Sequence, residues 1–210
     1  MLYYDRQIGD ARVVVWHITE DYEELLQQLP DAETVQKEAE KRFHSQGRIT
    51  EWTAVRVLLC TVLDRQVQIE YNDLGAPLLP NYEGLHISIS HTRGYAAIAL
   101  SETSQVGIDV EQIEQADTPR VERVKTRFMH DDEHADTHIG MLLHWSGKET
   151  VYKVLGREGV DFKTDLHVHP FDETSYEGEF QIEDIKEETT YDISYKVFDE
   201  FVLTFTRKDN

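Results

Sequence analysis

The chain has 210 residues, enough for one large domain or two small ones sharing an interface. Apolar residues make up 40% and recur in runs from end to end, which argues against disorder; a net charge of −20 argues against a general nucleic-acid binder. The single cysteine, Cys60, sits in the apolar run 55–63 and excludes a disulfide framework. No apolar run nears the ~18 residues of a membrane span and no leader pattern opens the chain, so the sequence reads as a cytoplasmic, membrane-free protein.

A strand is expected over 13–18 and a helix over 21–29, stopped by Pro30. Residues 33–43 and 49–63 carry helical periodicity and good helix formers. Residues 67–71 are β-like, and Asn72-Asp73-Leu74-Gly75 is turn chemistry. In 86–90, Ile87 and Ile89 alternate with Ser88 and Ser90, and strands over 95–100 and 106–110 follow through short polar turns. Three consecutive strands so linked suggest an antiparallel meander. After Pro119 the pattern is helical through Phe128, and a long helix is expected from about Asp131 to Leu155, ended by Gly156. The acidic remainder alternates as strands.

Helices followed by strands, twice over, define an α+β chain. The expectation is two similar α/β halves, 1–106 and 107–210, each with helices packed on an antiparallel three-stranded sheet. Together they would form an intramolecular pseudodimer, monomeric in solution.

Three stretches carry chemistry. In Val106-Gly107-Ile108-Asp109-Val110-Glu111, strand alternation projects Asp109 and Glu111 together while Ile108 and Val110 face the core. Hard oxygen ligands of this kind suit Mg²⁺, although a bare D-x-E is also common on solvated strands. In Trp145-Ser146-Gly147-Lys148-Glu149-Thr150-Val151-Tyr152-Lys153, Glu149 and Lys153 are i, i+4 neighbours on a helix, a pair that at a surface is worth little. Gly147 in the helix interior costs about 1 kcal/mol against alanine and suggests a close approach by backbone or ligand. In Ser88-Ile89-Ser90-His91-Thr92-Arg93-Gly94, a strand end enters a turn whose NH groups, hydroxyls, His91 and Arg93 could hold an anion; an ordinary turn with a surface histidine fits as well.

In this order, G-A-P-L-L…I-S-I-S-H-T, V-G-I-D-V-E and W-S-G-K-E-T-V-Y-K together resemble the signature of the 4'-phosphopantetheinyl transferase superfamily. Phe128 and Glu133 resemble the F-x-x-x-x-E element before the third block. The resemblance covers roughly 48–156, and the mid-chain position of the D-x-E block resembles the longer, pseudodimeric branch. It implies transfer of the 4'-phosphopantetheine of coenzyme A to a serine of an apo acyl or peptidyl carrier protein, releasing 3',5'-ADP, with the active site between the halves. Asp109, Glu111 and Glu149 would coordinate Mg²⁺, and Glu149 would deprotonate the carrier serine. Lys153 would meet the pyrophosphate and ease departure of the leaving group, helped by Lys148. Ser90 and His91 would hold the 3'-phosphate, with Arg48 a weaker match, and Gly75 and Pro77 would shape the nucleotide pocket.

Ala76 departs from the basic residue usual between that glycine and proline, with Arg93 a candidate replacement, and Thr150 stands for the usual Ala or Ser. Coenzyme A and carrier proteins are anionic, so local basic patches must override the global charge. Candidates are Lys41 and Arg42 with Arg48, and Arg120, Arg123, Lys125 and Arg127, the expected docking surface. A non-catalytic carrier-protein or coenzyme A binding relative, and a generic Mg²⁺-dependent phosphotransfer or hydrolysis enzyme, are the competing readings. His130, His134 and His138 recur every four residues; as a helix, adjacent members could hold Zn²⁺ but the outer two would lie ~12 Å apart. The reading preferred there is a hydrated helix start, and His167 and His169 are read as ordinary strand residues.

Overall fold

The computed structural model describes residues 1–113 and 126–209. The chain divides into two units, Met1–Thr103 and Ser104–Asn210, so the division falls just before the boundary expected at 106/107. Of the helical stretch expected after Pro119, residues 126–128 are helical, and the part with Arg120, Arg123 and Lys125 of the expected docking surface lies outside the described residues; Arg127 is exposed.

The first unit opens on a hairpin, β1 (Leu2–Ile8) and β2 (Ala11–His17), followed by α1 (Tyr22–Gln27), α2 (Ala32–Arg42) and α3 (Gln46–Leu63). A short hairpin, β3 (Glu70–Tyr71) with β4 (Pro77–Leu78), precedes β5 (His86–Thr92) and β6 (Tyr95–Ser101). The main sheet runs β1-β2-β6-β5, all antiparallel. Strand β1 was not expected: it is an edge strand whose exposed Tyr3 and half-buried Tyr4, Asp5 carry no clean alternation. Asp21 caps α1 through a reciprocal pair of bonds with Glu24, at 2.8 and 3.0 Å. Helix α3 lies on one face of the sheet. Its Ala54, Val55, Leu58 and Leu59 meet Val14 and Trp16 of β2 and Ala96, Ile98 and Leu100 of β6. Each such apolar side chain contributes roughly 1.5–3 kcal/mol on burial.

The second unit contains β7 (Ser104–Gln112), α4 (His138–Leu155), β8 (Leu166–Val168), β9 (Glu177–Asp184), β10 (Thr189–Val197) and β11 (Phe201–Asp209). Its sheet runs β7-β11-β10-β9-β8 and is antiparallel throughout. Two expectations are corrected. The sheets have four and five strands rather than three. The meander is broken, because β5 pairs with β6 while β7 pairs with β11 at the far end of the chain.

Helix α4 starts later than expected. The Thr137 side chain accepts from Gly140 N at 2.8 Å, and the Glu173 carboxylate accepts from the Asp136 and Thr137 amides at 3.1 Å, placing negative charge at the helix N-terminus. Gly140 makes room for that carboxylate, since a Cβ would fall 1.8 Å from Glu173 Oε2 and displace it. The helix ends at Gly156, whose φ of 63° is the left-handed cap open to glycine. Leu143, Val151 and Val154 then pack on Phe180, Ile182, Ile193, Tyr195 and Val202. Helices α3 and α4 each span 18 residues and each lies on its own unit's antiparallel sheet. Among the described residues no helix is long and apolar enough to cross a membrane.

Candidate active site

Strand β7 and helix α4 bring together most of the chemistry read from the sequence. Gly107, Asp109 and Glu111 alternate onto the face of β7 that α4 covers, while Val106, Ile108 and Val110 are buried on the opposite face. The carboxylates therefore sit under the helix rather than on a solvated face. Gly107 permits this approach: a Cβ there would lie 2.3 Å from the Thr150 carbonyl oxygen.

Asp109 is 5% exposed. Its Oδ2 accepts from Ser146 Oγ at 2.8 Å and its Oδ1 from Lys153 Nζ at 3.0 Å. Lys153, expected to pair with Glu149 one turn earlier, donates to Asp109 and to the Ile108 carbonyl at 2.6 Å. Ser146 continues to Thr204 Oγ1 of β11 at 2.8 Å, and Thr150 reaches the same hydroxyl at 2.7 Å. Glu111 Oε1 accepts from the Trp145 indole at 2.6 Å. Burial first, then the neighbouring Asp109 and, more weakly, Glu149 push the Glu111 carboxyl up to about 7, against the lowering pull of Trp145 and Lys153. Glu149 is half-buried, and burial, then Asp109, raises its carboxyl above the ordinary range while Lys153 lowers it. Three acidic groups thus repel one another around one lysine. Asp109 and Glu111 are each held by their own donors, and among the described residues the sets of three metal-capable side chains within 4.8 Å lie elsewhere.

Lys148 departs from its expected place at a pyrophosphate. Its ammonium is wholly buried and donates to Phe128 O at 2.8 Å, Phe162 O at 2.9 Å and the Glu133 carboxylate at 2.8 Å. An ammonium has three donors and all are used within the fold. Glu133 also accepts from His130 N at 3.0 Å and Val168 N at 2.7 Å, which draws 130–133 out of the helix expected there. The F-x-x-x-x-E element and the lysine of the third block are therefore one buried structural unit. Desolvation lowers the Lys148 ammonium, and Glu133 opposes the shift. Gly147 is crowded by Phe180 Cζ and Ile182 Cδ1, 2.8 and 2.9 Å from a built Cβ, so its closeness serves side-chain packing.

The other expected residues lie in the first unit. Ser90, 8% exposed, and His91 end β5, and His91 Nδ1 lies 3.0 Å from Glu51 Oε2 on α3. Ser88 and Ser90 are buried, while Ile87 and Ile89 are only partly so and pack on the α3 core. Arg48 is exposed in the first turn of α3. Gly75, with φ of 78°, closes the turn between β3 and β4, in which the Asn72 side chain accepts from Leu74 N and Ala76 N at 3.0 and 2.9 Å. Pro77 begins β4, which lies against β5. Lys41 and Arg42 are exposed at the end of α2, and Arg42 stacks over Tyr71 at 4.7 Å. Sequence reasoning missed Ser146 and the Glu133–Lys148 pair. The signal for Ser146 was present: 146, 150 and 153 share one helix face at i, i+4, i+7.

Residues 105–206 match the family model of the 4'-phosphopantetheinyl transferase superfamily. The match holds Asp109, Glu111, Lys148, Glu149 and Lys153 and continues through the acidic C-terminal sheet, beyond the span of the resemblance read from motifs; Arg48, Gly75, Pro77, Ser90 and His91 precede it. No match to the chain is found among curated proteins.

Proposed function

We propose that the protein transfers the 4'-phosphopantetheine arm of coenzyme A to a serine of an apo acyl or peptidyl carrier protein, as a holo-carrier synthase of the longer, single-chain branch. One observation carries the reading. Asp109 and Glu111 of β7 and Glu149 and Lys153 of α4 form one partly buried electrostatic cluster, with Glu111 pushed up to about 7 by burial and its acidic neighbours. Such frustration is characteristic of a site that handles charge rather than one that only supports a fold.

An all-oxygen donor set with excess negative charge fits Mg²⁺, and Asp109, Glu111 and Glu149 are the residues that would hold it. When bound, the ion would supply charge neutralisation to a diphosphate. Glu149 acts as the base: a carboxyl raised by burial and by Asp109 takes the proton from the carrier serine as its oxygen attacks the β-phosphorus of coenzyme A. The serine–phosphorus bond forms, the pyrophosphate P–O bond breaks, and 3',5'-ADP leaves with the electron pair. Lys153 stabilises the charge growing on that leaving group. Trp145 and Ser146 orient Glu111 and Asp109. Ser90 and His91 are assigned to the 3'-phosphate, with Arg48, Gly75 and Pro77 around the nucleotide. Lys148 is assigned to support of α4 instead of the pyrophosphate.

The test is release of 3',5'-ADP from coenzyme A with Mg²⁺ and an apo carrier. Glu149→Gln is expected to lower turnover by about 10²–10⁴-fold. Full turnover in that variant contradicts the assignment, and release without a carrier points to a hydrolase.

A further inference from the structure

Outside that cluster, the second unit gathers a different kind of donor. His130 and Asp132 lie in the segment before α4, and His167 lies on β8. His130 Nδ1 is 2.5 Å from Asp132 Oδ1, and His167 Nε2 is 3.1 Å from the same oxygen. The two imidazole rings stand 5.4 Å apart and nearly perpendicular. Alternation along the strand puts His169 beside His167, with ring centroids 5.5 Å apart, and the β8–β9 register sets Glu183 opposite His167. His169 Nε2 lies 3.4 Å from Glu183 Oε2. Two sets therefore share His167: His130, Asp132 and His167, and His167, His169 and Glu183, each with ligand atoms within 4.8 Å of one another. Asp132 and His167 also line a cavity of about 440 Å³ with His134 on its wall, and Asp132 is exposed.

We propose that His130, Asp132 and His167 bind a divalent transition-metal ion of the zinc class. Two imidazoles and a carboxylate form a borderline donor set that suits zinc and its neighbours and not Mg²⁺, which prefers oxygen alone. The nitrogens that meet Asp132 turn their lone pairs to the ion, and any proton on them leaves to solvent. An isolated hydrogen-bonded triad would give the same distances. The second set sharing His167, and the cavity at Asp132, take the arrangement beyond that. The ion would fasten the 130–132 segment to β8. That is where Glu133, the next residue, already bonds Val168 N and Lys148. Occupancy would thus brace the lysine that supports α4.

The test uses full-length, tag-free protein freed of metal by a chelator. It is titrated with Zn²⁺ by calorimetry and with Co²⁺ by visible absorption, each with and without excess Mg²⁺. One equivalent of either ion is expected to bind in the presence of Mg²⁺. Affinity should fall by at least about tenfold in His130→Ala, Asp132→Asn and His167→Gln, and persist in Asp109→Asn. Asp132 is exposed, so its variant removes a ligand without disturbing packing, and circular dichroism verifies the fold of the others. No saturable Zn²⁺ binding, or binding unchanged in folded His167→Gln or Asp132→Asn, overturns the proposal.

Discussion

Lys148 and Glu133 form a fully buried ion pair, and one partner without the other leaves an uncompensated charge in a dry interior. Lys148→Met is therefore expected to cost about 3–5 kcal/mol in urea unfolding. The double variant Lys148→Met, Glu133→Leu should recover much of that loss, since replacing both charges removes the desolvation penalty. No recovery would mean that the bonds from Glu133 to His130 N and Val168 N dominate. Glu111 sets a pH dependence. A carboxyl held at about 7, above its ordinary 4.5, binds its proton more tightly folded than unfolded. Its contribution to stability is complete below about 4.5 and is lost as pH rises through about 7. The melting temperature of wild type should fall more steeply from pH 5 to 8 than that of Glu111→Gln, and Mg²⁺ should restore more of it at pH 8 than at pH 6. Parallel curves for the two proteins would contradict this. At this scale Asp109, Glu111, Glu149 and Lys153 were legible because short motifs carry them. The role of Lys148 was not, since its partner lies 15 residues away and burial of an ammonium cannot be read from a surface-like K-E pair.

Elements are decided by close approach as much as by propensity. Gly107 and Gly147 both look crowded, but the neighbours differ. A Cβ at 107 meets backbone, the Thr150 carbonyl at 2.3 Å, and the helix would have to move off the strand. A Cβ at 147 meets side-chain ends of the buried core, Phe180 and Ile182, and that crowding is set against about 1 kcal/mol of gained helix propensity. Gly107→Ala should destabilise by about 1–3 kcal/mol or more, whereas Gly147→Ala should fall within about 1 kcal/mol of wild type. Equal losses in urea unfolding would show that backbone contact is not the deciding feature. Helical periodicity located α1, α2 and α3 to within three residues at each end, and alternation located β2, β5, β6 and β7. What alternation cannot give is the partner of a strand: β7 follows β6 directly yet pairs with β11. The early helix start predicted at Asp131 failed for a similar reason, because Glu133 is held by β8 and Lys148, contacts that local sequence does not encode.

For the whole molecule, the sequence gives two units of like ingredients, and the structure finds a helix of 18 residues on an antiparallel sheet in each. The family match covers 105–206, where the clustered acidic groups and Lys153 lie. A net charge of −20 sets the electrostatic problem, because both proposed substrates are anionic. Transfer rates should therefore depend on ionic strength through local charges rather than through the global field. The most direct measurement is mass spectrometry of an apo carrier protein incubated with this protein, coenzyme A and Mg²⁺. The account predicts a carrier heavier by one phosphopantetheine, attached at serine, with stoichiometric 3',5'-ADP. Intact coenzyme A and unmodified carrier, across fatty-acid, polyketide and peptide-synthesis carriers, would contradict it.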